Sequence, residues 1–263
     1  MTGPCDDVHA RAATELADAL EEVRPGLEAV APGYAGPYPA LLLSSVDGGV
    51  GLGIPGPASC TSPSGDVVVL PWRPRTLGRT SRYRGASVLE MQRFEESGTS
   101  REDWLSVMAH ELFHLHHERV VGRELATDYR WTALQRAYER DPEHEASVDG
   151  LVRLASVAAE DCSLGAVADA LEQHRATLSP RRARDEQRWV VTEGLAKQVE
   201  LSWLAEAVPD ADPEALAMAC GNLANPYGYA LGCSLARALD RCAEGDAWLD
   251  VVMRRGFVAA LRE

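Results

Sequence analysis

Apolar side chains recur every three or four residues between residues 5 and 30, which is the spacing that lines one face of an α-helix. The repeating positions are Val8, Ala12, Leu16, Leu20, Val23, Leu27 and Val30. We therefore predict a helix over this segment, and we expect Pro25 to bend it or to end it.

The pattern changes between residues 31 and 80, where glycines and prolines separate two short apolar runs. The runs cover residues 39–45 and 66–72, and each predicts a strand of a modest sheet. The second run reads DVVVLPW, which is rich in β-branched valine and is bounded by Gly65 and Pro71. From about residue 86 a helical pattern continues almost to the end of the sequence.

A helix, a modest sheet and a helix-rich remainder, in that order, predict an α+β fold with its layers segregated along the chain. The chain has 263 residues, 46% of them hydrophobic, which is enough to bury a core that holds a rigid site. We predict one domain over residues 1–263. It would comprise a helix and sheet lobe over 1–95 and a helical lobe over 96–263.

The overall charge and hydropathy exclude two classes of partner. There are 26 Lys+Arg and 40 Asp+Glu residues, so the formal net charge is −14, and such a surface repels the phosphates of nucleic acids. No apolar run approaches the roughly 20 residues that a membrane-spanning helix needs. We therefore expect neither a nucleic-acid partner nor a membrane association.

The six cysteines are scattered along the sequence without a C-x-x-C pair. The first residues, MTGPCDDVHA, lack the basic and then apolar run of a secretory signal. We therefore predict reduced, buried thiols that behave as small apolar side chains, in a cytoplasmic protein.

The segment WLSVMAHELFHLHHERV, residues 104–120, contains the pattern H-E-x-x-H within a predicted helix. His110 and His114 are four residues apart and project from nearly the same side of a helix, so both imidazoles can bind one metal ion. Glu111 lies about 100° around the helix from His110, where it can reach a water on that metal. The opposite side carries apolar residues that we expect to pack into the core: Leu105, Met108, Leu112 and Leu115.

Catalytic zinc usually has three protein ligands and keeps a fourth position for water, so a third ligand is needed downstream. The best candidate is Glu193, in the segment WVVTEGLAKQVELSWL over residues 189–204. This segment predicts a second helix that packs through Leu195, Val199 and Trp203. The neighbouring Gly194 would let another backbone approach closely.

HELFH followed by TEGLA resembles the gluzincin group of zinc metallopeptidases, in which a glutamate on a later helix completes the H-E-x-x-H site. The segment NPYGYALG, residues 225–232, also resembles their Y-x-x-G segment, whose tyrosine helps to stabilise the oxyanion. The resemblance implies a zincin-like fold and assigns that role to Tyr229, with Gly232 completing the segment and Tyr227 as a nearby rival.

The chain departs from the gluzincin pattern in two respects. The 78 residues between His114 and Glu193 exceed the short spacer of many gluzincins, which implies a helical insertion over about 119–188 near the site. Some members also carry an acidic residue four positions after the ligand glutamate, where this chain has Lys197. The group that orients the zinc ligands must then come from elsewhere.

Other polar residues near these motifs have competing interpretations. His117 follows His110 by seven residues, so it is a candidate ligand or substrate contact as well as a hydrogen-bonded helix histidine. His116 points away from the metal face. Glu118 is interpreted as a helix charge or an acceptor behind the site. A metzincin is excluded, since that pattern wants glycine at 117 and histidine at 120.

Two further polar clusters are interpreted as structural. The segment DPEHEASVD, residues 141–149, offers His144 and Glu145 but no second histidine, and Pro142 indicates a helix start. The arginines of RRARDEQR, residues 181–188, could bind an anionic substrate group. They are interpreted instead as a solvated face paired with nearby acids.

We therefore expect a zinc metallopeptidase with Zn²⁺ on His110, His114 and Glu193, Glu111 as general acid and base, and Tyr229 at the oxyanion. By analogy with zincins, an extended peptide would lie along a sheet edge formed by strand 66–70. Two alternatives stay open: the same chemistry on a small non-peptide amide or ester, and a catalytically silent zincin-like binding protein.

Overall fold

The computed structural model describes residues 2–31, 33, 34, 36, 38–122 and 131–263. The chain divides into two compact units, of which unit 1 comprises Met1–His116 with Glu206–Val208 and unit 2 comprises His117–Ala205 with Pro209–Glu263. This division falls later in the chain than the lobe edge predicted near residue 95. Residues 123–130 of the predicted insertion lie outside the described residues.

Unit 1 begins with helix α1, Asp7–Val30, which confirms the first predicted helix. Its N-terminus is capped by the Asp6 carboxylate, which accepts the His9 backbone N–H at 2.9 Å. The apolar positions Leu16, Val23 and Leu27 are fully buried, as the periodicity predicts. The helix continues through Pro25, so this proline does not end it.

A six-stranded sheet follows in unit 1, in the order β3-β4-β2-β1-β6-β5. Its strands are β1 Ala40–Ser44, β2 Gly48–Leu52, β3 Cys60–Ser62, β4 Gly65–Leu70, β5 Gly78–Tyr83 and β6 Ala86–Gln92. Neighbouring strands are antiparallel except for the parallel pair β1 and β6. The two predicted strands correspond to β1 and β4, and the α+β fold class is confirmed.

Four of the six strands were not predicted from the sequence, and the prediction that strand 66–70 forms an edge of the sheet is wrong. β4 pairs with β2 on one side and with β3 on the other, so residues 66–70 lie inside the sheet, whose outer strands are β3 and β5. The pattern did not indicate β2 because its sequence, GGVGL, is mostly glycine. Gly51 is closely packed there, since a Cβ would lie 2.7 Å from the Leu41 side chain and 2.4 Å from that of Ile54, and both side chains would have to shift.

Helices form the rest of the described chain, as predicted from the periodicity. They are α2 Phe94–Ser97, α3 Arg101–Val121, α4 Trp131–Tyr138, α5 Pro142–Asp161, α6 Leu164–Thr177, α7 Pro180–Ala207, α8 Pro213–Cys220, α9 Tyr227–Cys242, α10 Ala247–Arg255 and α11 Phe257–Leu261. The helix start predicted at Pro142 is confirmed, because the Asp141 carboxylate accepts the N–H groups of Glu143 and His144. Within the described residues, none of these helices combines the length and the apolar character that a bilayer crossing requires.

All six cysteines are paired in disulfides, so the prediction of reduced thiols is wrong. The bonds join Cys5 to Cys60 in unit 1, and Cys162 to Cys242 and Cys220 to Cys233 in unit 2. The partners are between 13 and 80 residues apart, and sequence spacing alone does not identify pairs at such distances. Because disulfides persist mainly in oxidising compartments, these bonds remove the basis of the cytoplasmic prediction.

Candidate metal centre

The H-E-x-x-H segment lies in helix α3 of unit 1. His110 and His114 are 7% and 8% exposed, and their ring centroids are 4.8 Å apart with the planes at 84°. One ligand atom from each of His110, Glu111 and His114 lies within 4.8 Å of the other two, so the three could hold a metal ion. The spacing that predicted this group from the sequence therefore brings its side chains together.

Helix α3 is well anchored behind this group. Ser100 Oγ accepts the Asp103 backbone N–H at 3.0 Å, and Glu102 and Asp103 place negative charge in the first turn. The predicted apolar face is confirmed, since its four members are at most 3% exposed: Leu105, Met108, Leu112 and Leu115. A core-packed helix of this kind holds its histidines in fixed rotamers.

The Glu111 carboxylate is held by a residue that the sequence analysis missed. Thr80, on strand β5, donates its hydroxyl hydrogen toward Glu111 Oε2 at 3.0 Å, and the backbone carbonyl of Glu111 lies 3.2 Å from the same hydroxyl. Its segment, GRTSRY, is largely polar and carries no strand pattern, so nothing in the sequence indicated this contact. Thr80 thus fixes the orientation of the predicted catalytic base.

Strand β5 is also an outer strand of the sheet. The Gln92 N–H donates to the Leu77 carbonyl at 2.9 Å, directly before the β5 to β6 register begins. In an antiparallel pair only alternate residues bond across the ladder, so Gly78, Thr80 and Arg82 direct their backbone groups away from β6. β5 therefore replaces strand 66–70 as the edge strand next to the metal helix.

The two histidines after the motif are buried in separate units. His116 lies in unit 1, where its ring contacts Tyr34 and Phe113 and its Nδ1 lies 3.4 Å from the Tyr38 hydroxyl. His117 lies in unit 2, where its Nε2 is 3.4 Å from the Met253 carbonyl oxygen, so this nitrogen is the donor. These contacts fit the interpretation of His117 as a hydrogen-bonded helix histidine.

Glu193 lies half-buried on α7 in unit 2, on the predicted second helix. The packing residues predicted for that helix are buried: Leu195, Val199 and Trp203. The close approach predicted at Gly194 is confirmed, because a Cβ there would lie 2.2 Å from the Cα of Gly232. The E-G-x-A and Y-x-x-G segments are therefore neighbours at a contact between α7 and α9, while the role of Glu193 as a metal ligand stays a prediction.

The two candidate tyrosines have different surroundings in unit 2. Tyr227 is fully buried, and its hydroxyl donates to Glu186 Oε2 at 3.0 Å. Burial and the adjacent Glu186 charge raise the pKa of Tyr227 far above its ordinary value. Tyr229 lies half-buried in the first turn of α9. Because the Tyr227 hydroxyl already donates to Glu186, Tyr229 stays the candidate donor to the oxyanion.

A second group with metal-ligand chemistry lies wholly in unit 2. It consists of His144, His174 and Glu186, whose ligand atoms lie within 4.8 Å of one another. The sequence analysis treated His144 as structural and singled out neither His174 nor Glu186. These residues come from three different helices and form no local motif, so spacing could not have indicated the group.

Two imidazoles and a carboxylate are donors that zinc favours, so the donor set of His110, Glu111 and His114 fits the metal that the H-E-x-x-H pattern implies. The same donors also suit other transition metals, and the identity of the ion does not follow from the side chains alone. No protein-family model, curated protein or solved structure matches the chain.

Proposed function

We propose that the chain is a zinc-dependent hydrolase of the gluzincin type that cleaves peptide bonds. The observation that carries the proposal is the hydrogen bond from Thr80 to Glu111, which holds a carboxylate beside two buried imidazoles. A glutamate interpreted as a mere helix charge would need no such support from a neighbouring strand. His110 and His114 would hold the ion, with Glu193 as the third ligand predicted from the sequence.

The chemistry that bound zinc supplies is Lewis acidity, which lowers the pKa of a water to near neutrality. Glu111 accepts the proton of the attacking water and later delivers it to the departing amine. Since Thr80 donates to Oε2, we assign proton transfer to Oε1 of the same carboxylate. The threonine keeps the carboxylate plane fixed while the proton is held.

The negative charge that develops on the carbonyl oxygen needs a hydrogen-bond donor in addition to the metal. We assign this role to the Tyr229 hydroxyl, because that of Tyr227 donates to Glu186. The close contact of Gly194 with Gly232 supports this assignment, since it fixes the first turns of α9 against the part of α7 that carries Glu193.

The substrate we propose is an extended peptide that adds to the sheet along β5. The outward N–H of Gly78 and the outward N–H and carbonyl of Thr80 provide the pairing edge, and main-chain hydrogen bonds of this kind bind peptides with little side-chain selectivity. Peptides N-methylated at the paired positions should be cleaved much more slowly than their unmodified counterparts. Equal turnover of both would contradict binding along this edge.

Metal analysis of three variants tests the proposal. Glu111→Gln should keep stoichiometric zinc and lose nearly all peptide hydrolysis, because it retains the shape of the side chain and removes its basicity. Glu193→Ala should lose one zinc ion per chain as well as activity. Glu102→Gln, at an exposed position on the same helix as the motif, is the matched control and should change neither. Unchanged zinc content in Glu193→Ala would remove Glu193 from the ligand set and leave Glu118 and His117 as candidates.

Hydrolysis of a small non-peptide amide or ester would use the same residues, and a silent binding protein would use none of them for turnover. A library of quenched fluorescent peptides separates these classes. Cleavage that is abolished in Glu111→Gln supports the peptidase. Turnover of small amides or esters without any peptide cleavage supports the small-molecule hydrolase, and zinc binding without any turnover supports the binding protein.

A further inference from the structure

We infer that His144, His174 and Glu186 form a second divalent metal site, with a structural role, inside unit 2. The three residues lie on α5, α6 and α7, so one ion would tie three helices together. The side chains of His174 and Glu186 are buried, 1% and 0% exposed, and that of His144 is half-buried at 9%. The inference is independent of the hydrolase proposed above.

The spacing of the ligand atoms fits a transition-metal ion. His174 Nε2 lies 3.1 Å from Glu186 Oε2, and His144 Nε2 lies 4.0 Å from the same oxygen. Ligand atoms about 2.0 Å from a tetrahedral zinc are roughly 3.3 Å apart, so a small inward shift of His144 would complete the geometry. Three protein ligands would leave one position for a water.

Ser147 and Tyr227 orient the ligand side chains, as residues around a metal site commonly do. Ser147 Oγ lies 2.9 Å from His174 Nδ1, and a bond there with Nδ1–H as the donor leaves the Nε2 lone pair directed at Glu186. The Tyr227 hydroxyl donates to Glu186 Oε2 at 3.0 Å, which fixes the carboxylate. Partners of this kind, behind the ligands themselves, set ligand tautomer and orientation.

If His174 and Glu186 were joined only by a hydrogen bond, with one proton between Nε2 and Oε2, two other buried atoms of the group would have no partner. His144 Nε2 and Glu186 Oε1 are buried and have no hydrogen-bond partner within the part of the chain that the structure describes. A buried polar atom in that condition loses its bonds to water without replacement, so native cores rarely contain such atoms. A metal ion held through Glu186 Oε2 would take up His144 Nε2, while Glu186 Oε1 faces the Arg175 guanidinium.

Arg175 is the charged group that opposes a cation at this site. Its Nε lies 4.0 Å from Glu186 Oε1, which is beyond hydrogen-bonding distance but close enough to repel a second positive charge. We therefore expect Arg175→Gln to tighten metal binding, whereas a network built on proton sharing would gain no metal affinity from this change. This opposite response separates the two arrangements.

Zinc stoichiometry in a protein lacking the first site tests the inference directly. The variant His110→Ala/His114→Ala is loaded with zinc, desalted and analysed by mass spectrometry, and we expect it to keep one zinc ion per chain. Adding Glu186→Gln, which preserves the size of the side chain, should reduce this to zero. Adding Glu145→Gln instead is the matched control, because Glu145 is exposed on the same helix as His144, and the ion should stay.

Two further measurements use protein in which His144, His174 and Glu186 are all intact, so they do not require the Glu186 variant to fold. Cobalt added to His110→Ala/His114→Ala should give the visible absorption bands of a tetrahedral site with nitrogen and oxygen ligands. Chelation of the zinc-loaded protein should lower its Tm by several degrees. A folded His110→Ala/His114→Ala protein without zinc, without cobalt bands and with a Tm unaffected by chelator would overturn the inference and leave a proton-shared His174 and Glu186 pair.

Discussion

The Thr80 hydroxyl lies 3.0 Å from Glu111 Oε2, which joins an outer strand of the sheet to the helix that carries His110 and His114. The same threonine directs its backbone groups away from β6. Strand β5 can therefore pair with a peptide through its main chain while one of its side chains fixes the base. In the proposed mechanism, the substrate edge and the residue that orients the base therefore lie on the same strand.

Replacing Thr80 by valine tests whether this bond positions the base. Thr80→Val keeps the shape of the side chain and removes the donor, so we expect kcat to fall by about tenfold to a hundredfold while KM and zinc content stay unchanged. Thr80→Ser, which restores a hydroxyl, should recover most of kcat. If Thr80→Val lost zinc to the same extent as kcat, or if Thr80→Ser did not recover kcat, Thr80 would support the folded structure and not the position of the base.

The contact between Gly194 and Gly232 should be intolerant of any side chain. A Cβ on Gly232 would lie 2.1 Å from the Val190 carbonyl oxygen and 2.6 Å from the Gly194 Cα, and backbone atoms cannot move aside cheaply. We expect Gly232→Ala to lower the free energy of unfolding by about 3 kcal/mol or more in a urea titration.

Gly150 provides the matched control for that experiment. It lies inside α5, and a Cβ there would have nothing within 4 Å. Gly150→Ala should therefore raise the free energy of unfolding by about 0.5–1 kcal/mol, through helix propensity alone. Equal effects at Gly150 and Gly232 would contradict the close helix contact.

The parts of the fold that the sequence predicted are those with local, periodic signals. Helix α1 and the buried face of α3 follow from apolar residues three and four positions apart, and the group around His110 and His114 follows from its spacing within one helix. Gly194 was predicted correctly because a crowded contact excludes every other residue type. For the two helices the determining residues lie within one or two turns of each other, whereas the partner of Gly194 is Gly232 on another helix.

The missed features all depend on contacts between distant segments. Strand β5 is polar and β2 is mostly glycine. Both form because neighbouring strands pair with them through backbone hydrogen bonds and shield them from solvent. His174 and Glu186 lie on different helices, and only tertiary packing brings them together. The disulfide partners are likewise set by the fold, so their spacing carried no signal.

The two tyrosines of the Y-x-x-G region should respond oppositely to loss of their hydroxyls. Tyr227→Phe removes a buried hydrogen bond to Glu186, and we expect about 1–3 kcal/mol of lost stability with little change in kcat. Tyr229→Phe should lower kcat by about a hundredfold and leave stability nearly unchanged. Urea unfolding and steady-state kinetics on both variants measure this, and reversed effects would assign the oxyanion role to Tyr227.

Each disulfide should stabilise the protein, and a disulfide that closes a longer loop should contribute more. Cys162 and Cys242 are 80 residues apart and Cys220 and Cys233 only 13, so loop entropy assigns about 4.5 kcal/mol to the first bond and about 3 kcal/mol to the second. Urea unfolding of the paired serine variants, under non-reducing conditions, should reproduce this order. Alkylation of the native protein followed by intact mass measurement should detect no free thiol, and six alkylated cysteines would contradict all three bonds.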